Sequence, residues 1–357
     1  MARDLLTPRG LALALLGVFL LVFPFIHEWP FFSRYVSEFR TFNLTMFAVW
    51  LLVVLGMNLL TGYSGQISLG HAAVVLVGAF TAGILADQYD VPMPLAIAAA
   101  AVFTGLVGGV VIGIPAVRLS GPYLAIATFA LVITLPQILK LNAIDGWTNG
   151  ALGIRIRELQ PPAVVDGFLD GGQWLYYSTM SVAVAMTVLF WNLTHSRIGR
   201  AFIALRDSEI GAEQMGVNVP YYKALAFGIS SFYAGLAGGL FFMVQAFVGP
   251  ESLGFTESLL FLVAVVIGGL GTILGSVFGA LFLTFQAEAI DRLGDAWSEA
   301  RNLRGVIYGG LLIATVLLFP RGFAGFAHGL VRLRPADVRE WLSAAWRARR
   351  ERGEGAE

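Results

Sequence analysis

Apolar runs as long as a membrane-spanning helix recur along the whole of this 357-residue chain. A helix needs about 20 consecutive apolar residues to cross the ~30 Å hydrocarbon core of a bilayer. The runs lie at residues 11–26, 42–60, 67–86, 93–114, 123–139, 174–193, 224–248, 258–290 and 304–320. Charged residues make up only 13% of the chain, against about 25% in a typical soluble domain. The pattern therefore predicts an all-α, polytopic integral membrane protein.

The run at 258–290 is too long for one crossing and is interrupted by Gly268, Gly269 and Gly271. Dividing it there gives about ten transmembrane segments and places the arginine-rich C-terminal tail on the same side as the N-terminus. With both termini in the cytoplasm, 15 of the 23 Lys and Arg residues lie in cytoplasmic segments, as the positive-inside rule requires. The first run is interpreted as an uncleaved span, because no small-residue cleavage site follows it.

The predicted spans and the distribution of charge divide the chain into three parts. Residues 1–41 comprise the N-terminal cytoplasmic end, the first span and an outer loop; residues 42–330 form the membrane core; and residues 331–357 form a charged cytoplasmic tail. Two polar segments interrupt the core, an outer loop at 140–173 and an inner, cytoplasmic segment at 194–222. Neither is large enough to form an independent soluble domain.

Several kinds of chemistry are excluded by residues that the chain lacks. It has no cysteine and four scattered histidines, so neither a metal nor another cofactor is expected. It has no Gly-Lys-Ser/Thr sequence to bind a nucleotide phosphate and no catalytic motif, and its net charge of zero argues against a nucleic-acid partner. The predicted span centres carry almost no ionisable residues, since Glu257, Glu288 and His71 lie near segment ends. This argues against a carrier coupled to protons or sodium ions.

Glycines recur at every fourth position on three predicted helices. The sets are Gly105, Gly109 and Gly113; Gly235 and Gly239; and Gly271, Gly275 and Gly279. This spacing puts the glycines of a set on one helix face, where two backbones can approach closely. Such a face either packs permanently or slides during gating, and the sequence leaves both interpretations open.

Residues 62–72, between the second and third runs, combine glycines and serines at a membrane edge. Irregular backbone at membrane depth persists only where it is buried in protein or lines a wet cavity. One interpretation is a broken helix start that lines the translocation path and offers N–H groups to a carboxylate. The other is a tight cytoplasmic turn with capping serines. On the first interpretation, the candidate path residues are Gly65, Gln66, Ser68, Gly70 and His71.

Residues 196–216 are the most helix-like part of the inner segment. Ile198, Phe202 and Leu205 recur at helical spacing, which predicts a helix that lies at the membrane interface. Asp207 or Ser208 can cap a second, shorter helix, which is predicted to end before Gly216. The compact knob predicted on this second helix consists of Ile210, Gly211, Ala212 and Met215. The alternative interpretation is a solvated loop helix.

Both segments belong to a series of motifs that resembles the LivM-type permeases of branched-chain amino acid ABC importers. In chain order, the motifs are SGQISLGHA at 64–72, RLSGPYLAIAT at 118–128, the segment 196–216, VIGGLGT at 266–272 and LFPRG at 318–322. Each motif alone is weakly specific, whereas their combination in this order is highly specific for the family.

The resemblance implies an ABC importer permease that moves leucine, isoleucine or valine into the cytoplasm and has no ATPase activity of its own. It implies a LivH-like second permease, two ATP-binding subunits similar to LivG and LivF, and a periplasmic amino-acid-binding protein as partners, at the lipid bilayer of the bacterial inner membrane. The implied ATPase-coupling residues, a degenerate form of the family pattern, are Asp207, Ser208, Glu209, Ala212, Glu213, Met215 and Gly216. A permease for urea, short amides or other amino acids is one alternative. A stand-alone channel or carrier is another.

Overall fold

The computed structural model describes residues 38–119, 121–156 and 169–296, together with residues 306, 309, 310, 313 and 323. The helices are α1 Glu38–Asn58, α2 His71–Gln88, α3 Met93–Val107, α4 Gly113–Arg118, α5 Pro122–Leu139, α6 Asp145–Thr148, α7 Gly171–His195, α8 Arg197–Asp207, α9 Glu209–Gln214, α10 Val219–Gln245, α11 Phe255–Gly268 and α12 Ile273–Ala296. Two π-helical turns, Leu59–Tyr63 and Gly108–Ile112, extend α1 and join α3 to α4. A 3₁₀ turn lies at Gly150–Leu152.

The described part of the chain confirms the all-α, membrane-spanning fold. Six of its helices are long and apolar enough to cross a bilayer, and two shorter apolar helices lie at Phe255–Gly268 and Ile273–Gln286. These eight helices coincide with the eight predicted segments between residues 42 and 290. The predicted span at 11–26, most of the one at 304–320 and the tail at 331–357 lie outside the described residues.

The long helix α10 is the centre of the bundle and packs on α1, α2 and α3. Asn218 caps its first turn by accepting a hydrogen bond from the Tyr221 N–H at 3.1 Å, and Pro220 suits that first turn because no intrahelical N–H bond is needed there. A side chain at Gly78 of α2 would overlap the backbone of Gly235 in α10. The small residues therefore allow these two backbones to touch.

The glycine face predicted for the run at 93–114 packs against the same helix, α10. A Cβ atom added to Gly109 would lie 3.4 Å from the Gly228 Cα, and one added to Gly113 would lie 2.9 Å from the Ala224 Cα. These are close contacts between backbones, so the glycine repeat serves packing in this conformation.

The predicted division of the run at 258–290 is also present. Gly269 and Gly271, with φ angles of 122° and 69°, adopt backbone conformations that other residues rarely accept, and they end α11 before α12 begins. The two helices form an antiparallel hairpin, because Gly268 abuts Gly275 while Gly279 abuts Ala264. With 14 residues, α11 is only about 21 Å long and is too short to cross the membrane alone.

The connecting segments gather on two opposite faces of the bundle. We name the first the motif face; it consists of residues 58–70, 196–218 and 269–272. We name the second the hairpin face, after its paired strands and not after the hairpin of α11 and α12; it consists of residues 89–92, 140–156 and 246–254. On the hairpin face, the two-residue strands β1 Ile154–Arg155 and β2 Phe247–Val248 pair in antiparallel register.

Candidate functional site

The chain between α1 and α2 leaves the α-helical conformation in two steps. After the π-helical turn Leu59–Tyr63, residues 64–70 form no helix. The Ser64 hydroxyl donates to the Leu60 carbonyl at 2.7 Å, and the Gln66 side-chain amide donates to the Ser64 hydroxyl at 3.0 Å. Gly65 has a φ angle of 73°, which permits the reversal of the chain. Side chains from within the segment therefore hold this irregular backbone in place.

The segment then enters the bilayer before α2 begins. The Leu69 N–H donates to the Thr128 hydroxyl, in the second turn of α5, at 3.0 Å, and a side chain at Gly70 would overlap the Thr128 carbonyl. The His71 ring abuts Gly56, inside the apolar span of α1, because a Cβ at Gly56 would lie 3.3 Å from His71 Nε2. The helix α2 thus starts within the membrane, where irregular backbone requires protein or water around it.

The five candidate path residues differ in exposure. Gly65 is exposed, whereas Gln66, Ser68, Gly70 and His71 are buried within the chain. Two buried polar atoms in this set, Gln66 Oε1 and His71 Nε2, have no hydrogen-bond partner among the described residues. Four of the five residues are therefore shielded from solvent in this conformation, and the role of the set in translocation stays a prediction.

Asn58, at the end of α1, ties this segment to the hairpin of α11 and α12. Its Oδ1 accepts the Gly271 N–H at 2.9 Å, and its Nδ2 donates to the Thr272 carbonyl and the Ser276 hydroxyl, each at 2.9 Å. The side chain is fully buried, so these bonds replace the water that a polar group would otherwise need. An isolated amide in the apolar run at 42–60 is the signal that sequence reasoning overlooked.

The predicted interfacial segment forms two short helices, α8 and α9, each with a serine cap. The Ser196 hydroxyl accepts the Ile198 N–H at 3.1 Å, and the Ser208 hydroxyl accepts the Gly211 N–H at 3.1 Å. These bonds satisfy N–H groups that lack partners in the first turn of a helix. Gly216 follows with a φ angle of 82° and turns the chain toward α10.

Arg206, in the last turn of α8, joins this segment to the broken start of α2. Its Nη1 donates to the Gly62 carbonyl at 3.0 Å, and its Nε and Nη2 each donate to Asp207 at 3.2 Å. A Cβ at Gly65 would lie 3.1 Å from the Arg206 Cα, so backbone meets backbone here. A displacement of α8 is therefore transmitted directly to residues 62–65.

The second connection runs from α9 to the central helix. Lys223 Nζ lies 2.7 Å from Glu209 Oε1, and the lysine side chain is 6% exposed. Removing one partner of a pair that includes a buried charge is costly, because the other charge remains without compensation. The helix α9 is thus fixed to α10, which in turn contacts α1, α2 and α3.

The structure also revises the composition of the predicted knob. Ala212 is 3% exposed and packs inside the chain, whereas Ile210 and Met215 are 72% and 85% exposed. The exposed face of α9 and of the residue that follows it therefore carries Ile210 and Met215 among the exposed polar residues Glu209, Glu213 and Gln214. Ala212 supports this face from beneath, and a partner would touch Ile210 and Met215 first.

Four of the five sequence motifs meet at the motif face or beside it. The first motif contacts Thr128 of the second through Leu69 and Arg206 of the third through Gly65. Gly271 of the fourth motif bonds Asn58, at the end of α1. The fifth, at 318–322, lies outside the described residues. Within the described residues, no group of three or more His, Cys, Asp or Glu residues could hold a metal ion. In the described residues, hydrogen bonds and backbone contacts join the motifs, and chemically reactive groups do not.

Residues 40–316 match the family described as branched-chain amino acid transport system / permease component. The chain belongs to this family. It is a membrane-embedded permease component of an ABC importer and not an enzyme. The motifs that meet at the motif face therefore occur in a chain whose relatives are transport subunits.

Individual relatives cover most of the chain. The high-affinity branched-chain amino acid transport system permease protein LivM of Salmonella typhimurium is 29% identical over 337 residues, covering 87% of this chain and 75% of its own. LivM of Escherichia coli K12 is 30% identical over 333 residues, covering 86% and 74%. The permease protein LivH of Salmonella typhimurium is 25% identical over 308 residues, covering 80% and 94%. No solved structure matches the chain.

Proposed function

We propose that this permease moves leucine, isoleucine or valine into the cytoplasm, driven by ATP hydrolysis in separate subunits. The observation that carries the proposal is the Arg206–Gly62 hydrogen bond of 3.0 Å. It connects an exposed helix pair, suited to contact with another protein, to the broken helix start within the membrane. The names of LivM and LivH, which refer to branched-chain amino acid transport, support the substrate.

The proposed complex contains four kinds of partner. They are a LivH-like second permease, two ATPases similar to LivG and LivF, a periplasmic amino-acid-binding protein, and the bilayer of the bacterial inner membrane. Transmembrane helices α3, α5 and α7 remain largely exposed in the isolated chain, which leaves apolar area for lipid and for the second permease. The division of the chain at residues 41 and 330 is part of the same proposal.

The proposed orientation places the motif face in the cytoplasm. Four cations, Arg197, Arg200, Arg206 and Lys223, lie on or next to this face, and the positive-inside rule favours the cytoplasm for such a cluster. With ten spans, both termini lie on the same side. A reporter fused after Arg334 should therefore give a cytoplasmic signal, and a periplasmic signal would refute the orientation or the span count.

In the proposed mechanism, the ATPases act on the exposed face of α9. ATP binding moves Ile210 and Met215; the Glu209–Lys223 pair carries the movement to α10, and Arg206 carries it to residues 62–65. Gly65, Gln66, Ser68, Gly70 and His71 then change their packing and open the path. Because the transported amino acid is zwitterionic with no net charge, few fixed charges are needed along the path.

The substrate and the energy source are tested with the complete complex in proteoliposomes. ATP-dependent uptake of labelled leucine, isoleucine and valine, but not of urea, acetamide or phenylalanine, is the expected result. Uptake of one of the other solutes alone would assign the permease to a different substrate. Uptake without ATP or the ATPase subunits would identify a channel or carrier and refute the proposal.

The coupling face is tested at Met215, which is 85% exposed and can be changed without disturbing the fold of the chain. Met215→Arg should abolish uptake and substrate-stimulated ATPase activity, because a charge would be buried in an apolar interface. Ala212 is a poorer test position, since arginine there would disrupt packing within the chain. The control is Tyr221→Arg, at an exposed position of α10 outside α9. Unchanged uptake with Met215→Arg would exclude this face.

A further inference from the structure

The start of α11 lies deep in the membrane. The rings of Phe255 and Phe129 are 4.8 Å apart between centroids. Phe129 precedes Lys140, at the hairpin-face end of α5, by 11 residues, or about 16 Å of helix. The Ser258 hydroxyl accepts the Ala72 N–H at 2.9 Å, and Ala72 lies 16 residues, or about 24 Å, from the other end of α2. Because the hydrocarbon core is ~30 Å thick, both contacts place residues 255–258 in its interior.

This depth changes the interpretation of Glu257. In the sequence it stands near the end of an apolar run, which is where a carboxylate would meet water. In the structure it lies between Phe255 and Ser258, inside the bilayer. An ionisable residue at this depth is by default associated with function, because exposing its charge to lipid is energetically costly.

Nothing in the described part of the chain neutralises this carboxylate. The ion pairs there are Lys140–Glu251, Arg206–Asp207 and Lys223–Glu209, and none of them includes Glu257. One carboxylate oxygen accepts the Gly254 N–H at 2.8 Å. The residue is half-buried and its neighbour Thr256 is exposed. The described residues of the chain therefore leave this side of α11 partly open.

We propose that Glu257 binds the ammonium group of the amino acid during its passage through the membrane. This inference rests on the proposed function, since it assumes an amino-acid substrate. A carboxylate and an ammonium group form charge-assisted hydrogen bonds, which are stronger than neutral ones. The carboxylate also gives the path a preference for solutes that carry a cationic group. The Ala72–Ser258 bond places the first turn of α11 beside the first turn of α2, while the Glu257 carboxylate reaches back to the Gly254 N–H.

The structural role of Glu257 can be separated from the proposed role in binding. A glutamine at the third position of a helix can satisfy the preceding N–H group as a glutamate does. Glu257→Gln therefore keeps the bond to the Gly254 N–H but removes the negative charge. Glu257→Asp keeps the charge on a shorter side chain. The matched control is Asp87→Asn, which neutralises an exposed acid at the end of α2.

The experiment measures ATP-dependent leucine uptake and ATPase activity of each variant complex in proteoliposomes with saturating binding protein. For Glu257→Gln we expect normal complex yield, unchanged basal ATPase activity and a maximal uptake rate reduced about tenfold or more, the effect of losing one charge-assisted hydrogen bond. Glu257→Asp should restore part of the rate, and Asp87→Asn should match the unmodified complex.

The other outcomes overturn the inference. Full uptake by Glu257→Gln would show that the charge has no role in transport. Loss of complex assembly in Glu257→Gln would assign the carboxylate to an ion pair with another subunit or another part of the chain. Failure of the unmodified complex to take up leucine, with ATP-dependent uptake of an uncharged solute instead, would refute the proposed substrate before Glu257 is considered.

Discussion

The motif face and the hairpin face both join segments that are distant in sequence, but they use different kinds of contact. On the motif face, the bonds involve the buried amide of Asn58 and backbone groups of glycines that no side chain separates. On the hairpin face, backbone also meets backbone where β1 pairs with β2, but the side-chain contacts between distant segments are exposed. Gln88 donates to the Gly146 and Trp147 carbonyls, and the ion pair of Lys140 and Glu251 faces solvent.

The difference indicates which face the protein holds rigid. A buried polar group that loses its partner pays the full cost of desolvation, whereas an exposed one exchanges its partner for water. Substitutions on the motif face should therefore impair stability or coupling, and equivalent substitutions on the hairpin face should be tolerated. Three variants with matched controls and one single variant, in order of decreasing expected effect, test this comparison.

The largest effect is expected for Asn58→Leu. The substitution removes the acceptor of the Gly271 N–H and leaves the Ser276 hydroxyl with only its 3.5 Å bond to the Thr272 carbonyl; a buried group that loses its partner costs about 1–3 kcal/mol. We expect a large loss of folded protein, measured by size-exclusion yield and thermal denaturation in detergent. The control Asn142→Leu removes an exposed amide on the hairpin face and should leave both measurements unchanged. Equal stability of the two variants would contradict the proposed difference between the faces.

The next effect concerns Gly275, beside the turn between α11 and α12. A Cβ there would overlap the Gly269 carbonyl, so Gly275→Leu should separate the two helices. Overpacking of this kind typically costs about 1–3 kcal/mol, and the yield of assembled complex should fall. Gly172→Leu is the matched control, because no atom of the described residues lies within 4 Å of a Cβ at that glycine. A normal yield with Gly275→Leu would show that the hairpin can open at no cost.

Hydropathy was sufficient to predict the spans in the described part of the chain, because a bilayer requires long apolar helices whatever their neighbours are. It could not predict where α2 begins. Ile67 and Leu69 are apolar and belong to the run at 67–86, yet they lie in the irregular segment, held by Ser64 and Thr128. Hydrogen bonds between distant segments decided that boundary, and a single sequence does not show such pairs.

The local structure of the candidate site was predicted in outline, whereas its tertiary connections were missed. Glycine and serine content identified the broken helix, and the caps identified α8 and α9. The roles of Asn58, Arg206 and Lys223 depend on tertiary contacts, which a single sequence does not show beyond the polarity of these residues. Ala212 shows a further limit, because a helix of six residues has too few positions to define a buried face by periodicity.

A smaller effect is expected at Arg206, because its side chain is 40% exposed and water can replace part of its bond to the Gly62 carbonyl. Arg206→Ala should give a complex that folds and hydrolyses ATP but transports fewer molecules for each ATP hydrolysed. Leucine uptake and phosphate release, measured in the same proteoliposomes, give this ratio. The control is Arg200→Ala, where the guanidinium bonds the nearby His195 carbonyl instead. A ratio equal to that of the control would remove Arg206 from the coupling route.

The smallest effect is expected for the ion pair between Lys140 and Glu251 on the hairpin face. The hydrogen bond from Lys140, followed by its charge, lowers the pKa of the Glu251 carboxyl below its usual value. A lowered pKa in the folded state means that the carboxylate stabilises the fold above the unfolded-state pKa. This contribution disappears as the pH falls through the folded-state pKa.

The glutamate is fully exposed, so the attraction is weakened by water and salt. Glu251→Gln should therefore lower the thermal midpoint only slightly near pH 7, and the difference from the unmodified protein should disappear in acid. High salt at pH 7 should reduce it in the same way. If the difference in thermal midpoint grew in acid, or were as large as that for Asn58→Leu, the hairpin face would depend on buried polar contacts as the motif face does.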